Sequence, residues 1–248
     1  MRFLFTVVSI LFVQLSYHSQ ITKEWFHTFN GHGDFNDRFT CLTNSTNGFI
    51  IAGGSTTNPG ADRDFLVCSY TTDGLLNWSW QLDGKGTGTD EILAIATDAQ
   101  NNIYVTGFSK GYNTSYDYLT VKLNAQGDTL WTRAYDFASE YDQANSIAVD
   151  SQGNVFVTGQ SDSDQSSVIN DDYLTIKYDA NGNLLWTKRF NGLGNAIDRA
   201  MKLVLDNAAN VYITGRSNNG ADDDIVTIKY NNFGQKDLMA SEMLSIEL

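Results

Sequence analysis

Polar and apolar positions in this chain fall into short runs, and the runs repeat. One unit reads ANSIAVD (144–150), VFVTGQS (155–161), DYLTIKY (172–178) and LLWTKRF (184–190). Val, Ile, Thr, Tyr and Trp dominate these runs, as they do on a pleated, half-buried surface. The turns SQGN and DANGN separate them, so the unit predicts four strands joined largely by tight hairpins. Gly153 and Gly182 supply the positive φ such turns require, and Asp150 and Asp179 are placed to bond the turn backbone. The same pattern returns along the chain. Trp25, Trp78, Trp131 and Trp186 recur at spacings of 53, 53 and 55 residues, and Gly53, Gly107, Gly159 and Gly215 at 54, 52 and 56. A third frame, DFLVCSY, DYLTVKL, DYLTIKY and DIVTIKY, opens at Asp64, Asp117, Asp172 and Asp224. Four short strands per period of about 50 residues is the size of a propeller blade, a sheet too small to bury its own face alone.

The two ends of the pattern are unequal. KEWFHTFNG (23–31) matches LLWTKRFNG (184–192) in its Trp, Phe, Asn and Gly, and so reads as a fourth strand with no preceding three. Residues 198–230 supply three strands, and where the next Trp is due the chain has Leu238. The expected fold is all-β: a β-propeller of about four four-stranded blades near 37–83, 90–136, 142–191 and 198–230, within repeats spanning 20–235. In this reading the strand at 23–31 completes the last blade and closes the ring, which removes two exposed edges. Residues 236–248 form a divergent tail. The alternative is an open fragment of a larger propeller, with the tail as the trace of a frameshift or early stop.

The unit D-x-A-x-x-I-A-V-D-x-x-G-N-V-F-V-T-G-x-S, followed by D-D-Y-L-T-I-K-Y-D-A-N-G-N-L-L-W-T-K-R-F-N-G, closely resembles the SBBP beta-propeller repeat of exported bacterial proteins. The resemblance extends over roughly residues 25–230. It implies export and a scaffold or binding role, and it carries over no catalytic residue. That family is usually seven-bladed, and about four units here depart from it.

Composition narrows the function classes. With 29 acidic residues against 16 Lys and Arg, the net charge is −13 and no basic cluster interrupts it. A nucleic-acid partner needs a positive footprint against phosphate, so none is expected. Residues 3–15 form an apolar stretch behind Arg2, too short to span a bilayer comfortably and suited to a signal peptide at 1–19 cleaved near Ser19–Gln20. An uncleaved anchor is the alternative. The expected protein is secreted or at the cell surface, with no membrane insertion of the mature chain. Cys41 and Cys68 fall on the first and third strands of one blade, so about 9–10 Å separates them, two inter-strand spacings. A disulfide needs roughly 4.4–6.8 Å, so two separate buried thiols are expected.

Candidate chemistry lies in what varies. The hairpin turns within blades are uniform, whereas the opposite face carries loops of differing length such as DGKGTGTD, DFASEYD, KGYNTSY and DSDQSSVIND. Variable loops on a rigid scaffold are where binding usually sits, and Tyr112, Tyr116 and Tyr141 offer amphipathic contact surface there for a glycan or protein. Asp37, Asp90, Asp142 and Asp198 open the four units in register. Fourfold repetition gives them two possible roles: carboxylates around a central channel that suit Ca²⁺, or bonds from each to backbone N–H groups of its own blade-to-blade loop. No cofactor is required by anything else in the sequence. His27 and His32 are the histidines beyond the signal region, and no nucleophile or zinc motif appears. The reading is a non-enzymatic scaffold that binds an extracellular protein or glycan, monomeric when its ring is closed. The alternatives are an extracellular polysaccharide-acting glycosidase or lyase, or a non-functional fragment.

Overall fold

The computed structural model describes residues 25–31, 35–112, 115–137, 140–162, 170–192 and 196–236. The signal peptide at 1–19, His32, much of the DSDQSSVIND loop and nearly all of the tail at 236–248 lie outside the described residues. Regular structure among the described residues is all strand. The first blade holds β1 (Arg38–Asn44), β2 (Ile50–Thr57), β3 (Arg63–Tyr70) and β4 (Leu76–Leu82). The second holds β5 (Glu91–Thr97), β6 (Ile103–Lys110), β7 (Tyr116–Leu123) and β8 (Thr129–Tyr135). The third holds β9 (Asp142–Val149), β10 (Val155–Asp162), β11 (Asp171–Tyr178) and β12 (Leu184–Phe190). The last holds β13 (Asp198–Leu205), β14 (Val211–Asn218) and β15 (Asp223–Tyr230). Each blade is an antiparallel meander in chain order, four-stranded three times and three-stranded once.

Burial falls between blades. Ile51, Phe65 and Val67 of the first pack on Ile92, Ile103 and Val105 of the second. Tyr104, Tyr118 and Trp131 of the second meet Ala144, Ile147 and Val157 of the third, and Phe156 and Tyr173 of the third meet Ala200, Leu203 and Ile213 of the fourth. A fully buried side chain of this size contributes roughly 1.5–3 kcal/mol, so these interfaces, more than any one sheet, hold the fold. The inner strands β1, β5, β9 and β13 pack against one another in succession.

A bulge in every inner strand sets the register. Pairing slips across Thr40, Leu93, Asn145 and Met201. Two of these residues bond the next inner strand: Thr40 Oγ1 donates to the Ile92 carbonyl, and Asn145 Nδ2 to the Ala200 carbonyl at 2.9 Å. Opposite each bulge the second strand carries a glycine whose added Cβ would lie 1.8–2.0 Å from a backbone carbonyl oxygen. These are Gly54, Gly107, Gly159 and Gly215, which all pair with the same position of the third strand. The spacing pattern in the sequence selects Gly53, and the structure corrects this to its neighbour. Gly53 instead occupies the place of Thr106, Thr158 and Thr214, whose hydroxyls bond a threonine across the strand pair.

Four blades form at the expected places, three of them four-stranded, but the last has three strands and among the described residues the ring does not close. Residues 25–31 form no strand and do not pair with β15. Trp25 instead anchors on the first blade, its indole N–H donating to the Thr72 carbonyl at 2.9 Å. Among the described residues the successive packing of inner strands runs from β1 to β13 without returning, as in the open alternative. Cys41 and Cys68 are separate thiols with β2 between them. Burial pushes the first up to about 11 and the second to about 12.

Candidate functional site

The four unit-opening aspartates each serve their own blade-to-blade loop. Asp37 Oδ2 accepts the Gly31 N–H at 2.7 Å, Asp90 Oδ2 that of Gly84 at 2.5 Å, Asp142 Oδ2 that of Phe137 at 2.7 Å, and Asp198 Oδ2 that of Gly192. Asp90 Oδ1 also accepts the Lys110 N–H, and Asp37 Oδ1 the Thr56 hydroxyl. Each carboxylate therefore pins the start of its inner strand to the incoming loop. Among the described residues the four do not meet in one acidic group. The groups that do form are Asp62, Asp64 and Asp83, and Asp117, Asp136 and Asp142, each offering carboxylate oxygens within 4.8 Å of one another. Burial pushes the Asp142 carboxyl up to about 7 and that of Asp90 to about 6.

Two of the three tyrosines come together. Tyr116, at the start of β7, packs edge to face on Tyr141 with ring centroids 5.7 Å apart, and Phe108 closes on its other side at 5.2 Å. Lys110 Nζ lies 5.2 Å from the Tyr116 ring centre, and the Tyr141 hydroxyl donates to Gln143. This cluster ties the loops of the second and third blades together. Tyr112 stands apart, 81% exposed, on the wall of a depression shared with Asp83, Lys85 and Lys110.

A cleft of about 380 Å³ lies on the second blade, under the connection from the first. Leu82, Leu119 and Ala134 contribute its apolar surface, and Asp83, Lys85, Ser109, Lys110, Asp117 and Thr132 its polar groups. Strand register explains its place. Ala134 pairs with Leu119 as Arg189 pairs with Leu174 one blade on. In the third blade the Arg189 guanidinium fills the equivalent space, donating to the Ser161 carbonyl at 2.9 Å, its hydroxyl at 2.6 Å and Asp172 at 3.3 Å. It also lies 4.2 Å over the Phe137 ring. Asp117 stands where Asp172 does. The second blade thus keeps the carboxylate but has a methyl group where the third has a cation, and the unfilled volume is the cleft. Sequence reasoning passed over Ala134, although aligning Gln81, Ala134 and Arg189, each three residues after a repeat Trp, carries the signal.

Catalytic candidates are few here. His27 packs on Tyr70 with ring centroids 5.2 Å apart, away from the cleft. Trp80, outside the repeat of tryptophans, bonds the Thr129 hydroxyl of the next blade at 3.0 Å and so joins the interface.

The family model for the SBBP beta-propeller repeat matches residues 131–164. No curated protein matches the chain. Among solved structures, a putative exo-beta-1,3-galactanase from Bifidobacterium bifidum s17 is 12% identical, with a TM-score of 0.48 over 81% of this chain and 70% of that one. A GH43_1 enzyme from Xanthomonas citri is 8% identical, with a TM-score of 0.45 over 80% and 70%. Drosophila Plexin A, in complex with Semaphorin 1b, is 12% identical, with a TM-score of 0.46; the match takes in 78% of this chain but 40% of the plexin. No activity follows from likenesses at this level, and the fold rests on the blades themselves. Its repeated antiparallel meanders are blades of a β-propeller fold, and one repeat of them, residues 131–164, matches the SBBP beta-propeller repeat.

Proposed function

We propose that the protein is a non-enzymatic scaffold that binds carbohydrate outside the cell, through the loop face of its second blade. The observation that carries this reading is the cleft left by Ala134. Its mixture of carboxylate, ammonium and hydroxyl groups around Leu82, Leu119 and Ala134 suits a sugar, which presents hydroxyls at its edge and C–H groups on its faces. Tyr112, exposed beside Lys85 and Lys110, adds an aromatic surface for a further sugar ring. The volume is that of a small-ligand site, and the rest of the face is built of short polar loops. The signal-peptide reading of residues 1–19 places the ligand among extracellular or surface glycans.

Isothermal titration of the whole chain with a panel of neutral and acidic oligosaccharides tests this. One class is expected to bind, with affinity about tenfold or more weaker in Ala134→Arg, which refills the cleft as Arg189 does one blade on, and in Tyr112→Ala. Absence of binding across the panel, or binding that Ala134→Arg leaves intact, removes the proposal. Turnover of a bound saccharide would replace it with the glycosidase or lyase reading.

A further inference from the structure

The third blade shows which chemistry the cleft of the second can hold. There the Arg189 guanidinium donates to three acceptors: the Ser161 carbonyl at 2.9 Å, the Ser161 hydroxyl at 2.6 Å and Asp172 at 3.3 Å. Strand register places the same groups in the second blade. Ser109 pairs with Asp117 as Ser161 pairs with Asp172, and two residues further along Ala134 pairs with Leu119 as Arg189 pairs with Leu174. Alternation along the strands puts Ser109, Asp117 and Ala134 on one side of the sheet. A second replacement opens the same space. Phe137, whose ring covers Arg189 at 4.2 Å, donates its N–H to Asp142 as Gly84 donates its own to Asp90. Gly84 therefore stands where Phe137 does and brings no ring. The second blade lacks both the cation and its aromatic cover, and Gly84 and Ala134 both line the cleft.

Acceptors dominate this part of the cleft. The Ser109 hydroxyl hydrogen-bonds the Asp90 carboxylate, which commits its proton there and leaves the oxygen as an acceptor. Asp117 brings a carboxylate, with one oxygen within 4.8 Å of oxygens of Asp136 and Asp142, so negative charge is concentrated beside it. Lys110 also lines the cleft, but it lies three residues along β6 from Gly107, the partner of Leu119. Alternation turns its side chain to the other side of the sheet, where Nζ lies 5.2 Å from the Tyr116 ring centre. Lys85, on the connection between blades, is the other cation of the lining. A sugar hydroxyl gives such a cradle one hydrogen, whereas an ammonium gives three and a matching charge.

We propose that the cleft takes the protonated amine of an amino sugar, seated where Arg189 seats its guanidinium one blade on. This assignment rests on the carbohydrate reading of the cleft and narrows it to sugars that carry a free amine. Leu82, Leu119 and Ala134 meet the C–H face of the ring, and the amine donates to Ser109 and Asp117. An N-acetylated sugar has no charge at that position and a single N–H, so it binds the same cleft more weakly.

Isothermal titration of the full chain with a glucosamine tetramer and with its fully N-acetylated counterpart, at a pH where the amines are protonated, tests this. The free amine is expected to bind about tenfold or more tightly than the acetylated form. That comparison is made in the wild type and needs no variant to fold. Asp117→Asn should then bring the two affinities together while keeping the β-sheet circular dichroism. Equal affinities in the wild type, a preference that Asp117→Asn leaves intact, or tighter binding of an acidic saccharide overturns the amine assignment and leaves the carbohydrate reading in place. If no saccharide binds, both fall.

Discussion

Replacing Trp131 by alanine should destabilise the protein more than replacing any other repeat tryptophan. Its indole is 8% exposed. It packs between Tyr104 and Tyr178, with ring centroids 6.3 and 6.1 Å away, and carries the Arg133 guanidinium 5.8 Å over its face. It also bonds the Ala180 carbonyl of the next blade. Removing a buried Trp costs about 3–5 kcal/mol, lost transfer energy and cavity together. Trp25 makes the same hydrogen bond but is 40% exposed, so Trp25→Ala should cost about half as much. Trp131→Phe separates the terms. Ala180 keeps a partner in Lys122 Nζ at 3.1 Å, so no carbonyl is orphaned and the lost bond should cost only about 1 kcal/mol beyond the reduced packing. Urea unfolding of the full chain, followed by far-UV circular dichroism, measures all three. At this size about 1 kcal/mol moves Tm by roughly 2–4 °C, which gives an independent check. If Trp131→Ala costs no more than Trp25→Ala, the claim that the fold is held between its blades is wrong.

Further expectations follow from other particular contacts. Gly159→Ala places a Cβ 1.9 Å from the Gln143 carbonyl oxygen and 2.7 Å from Tyr118 Oη; it should cost about 3 kcal/mol or more in urea unfolding, whereas a cost below 1 kcal/mol would show that the bulge tolerates a side chain. Ala209 holds φ +57° at the turn position filled by Gly153 and Gly182 in the preceding blade. Ala209→Gly should therefore raise Tm, because about 1 kcal/mol or more of relieved strain outweighs the lost methyl contact, and a lowered Tm counts against strain at that turn. Asp142 has its carboxyl raised from 3.8 to about 7, so between those values the folded state binds more proton than the unfolded one. Its contribution to stability is full below pH ~4 and is lost as pH rises through about 7. Asp90 and Asp172, both raised to about 6, act in the same direction. The Tm of the wild type should fall across this window and that of Asp142→Asn should fall less; equal slopes would remove Asp142 from the account.

The strands, hairpins and blade number were legible in the sequence because each depends on local order. β-branched runs, turn glycines and Asx residues repeat every fifty or so positions, and repetition identifies an interface that every blade shares. The turn prediction held to the atom: Asp150 and Asp179 accept the N–H groups two and four residues ahead, and Gly153 and Gly182 have φ of +81° and +79°. The separation of Cys41 from Cys68 followed from counting strands. Tertiary structure decided the rest. Gly54 rather than Gly53 opposes the bulge because bulge pairing depends on where the partner strand slips, which no single strand records. The cleft exists because Ala134 is small beside Leu119, its partner across the strand pair, so it is a property of a vacancy across strands. Ring closure is the sum of the turns made at successive interfaces, each set by how bulky side chains such as Tyr118, Trp131 and Tyr173 wedge between sheets. The repeat names those side chains, but only their packing fixes the accumulated angle, and among the described residues four blades do not bring β13 round to β1.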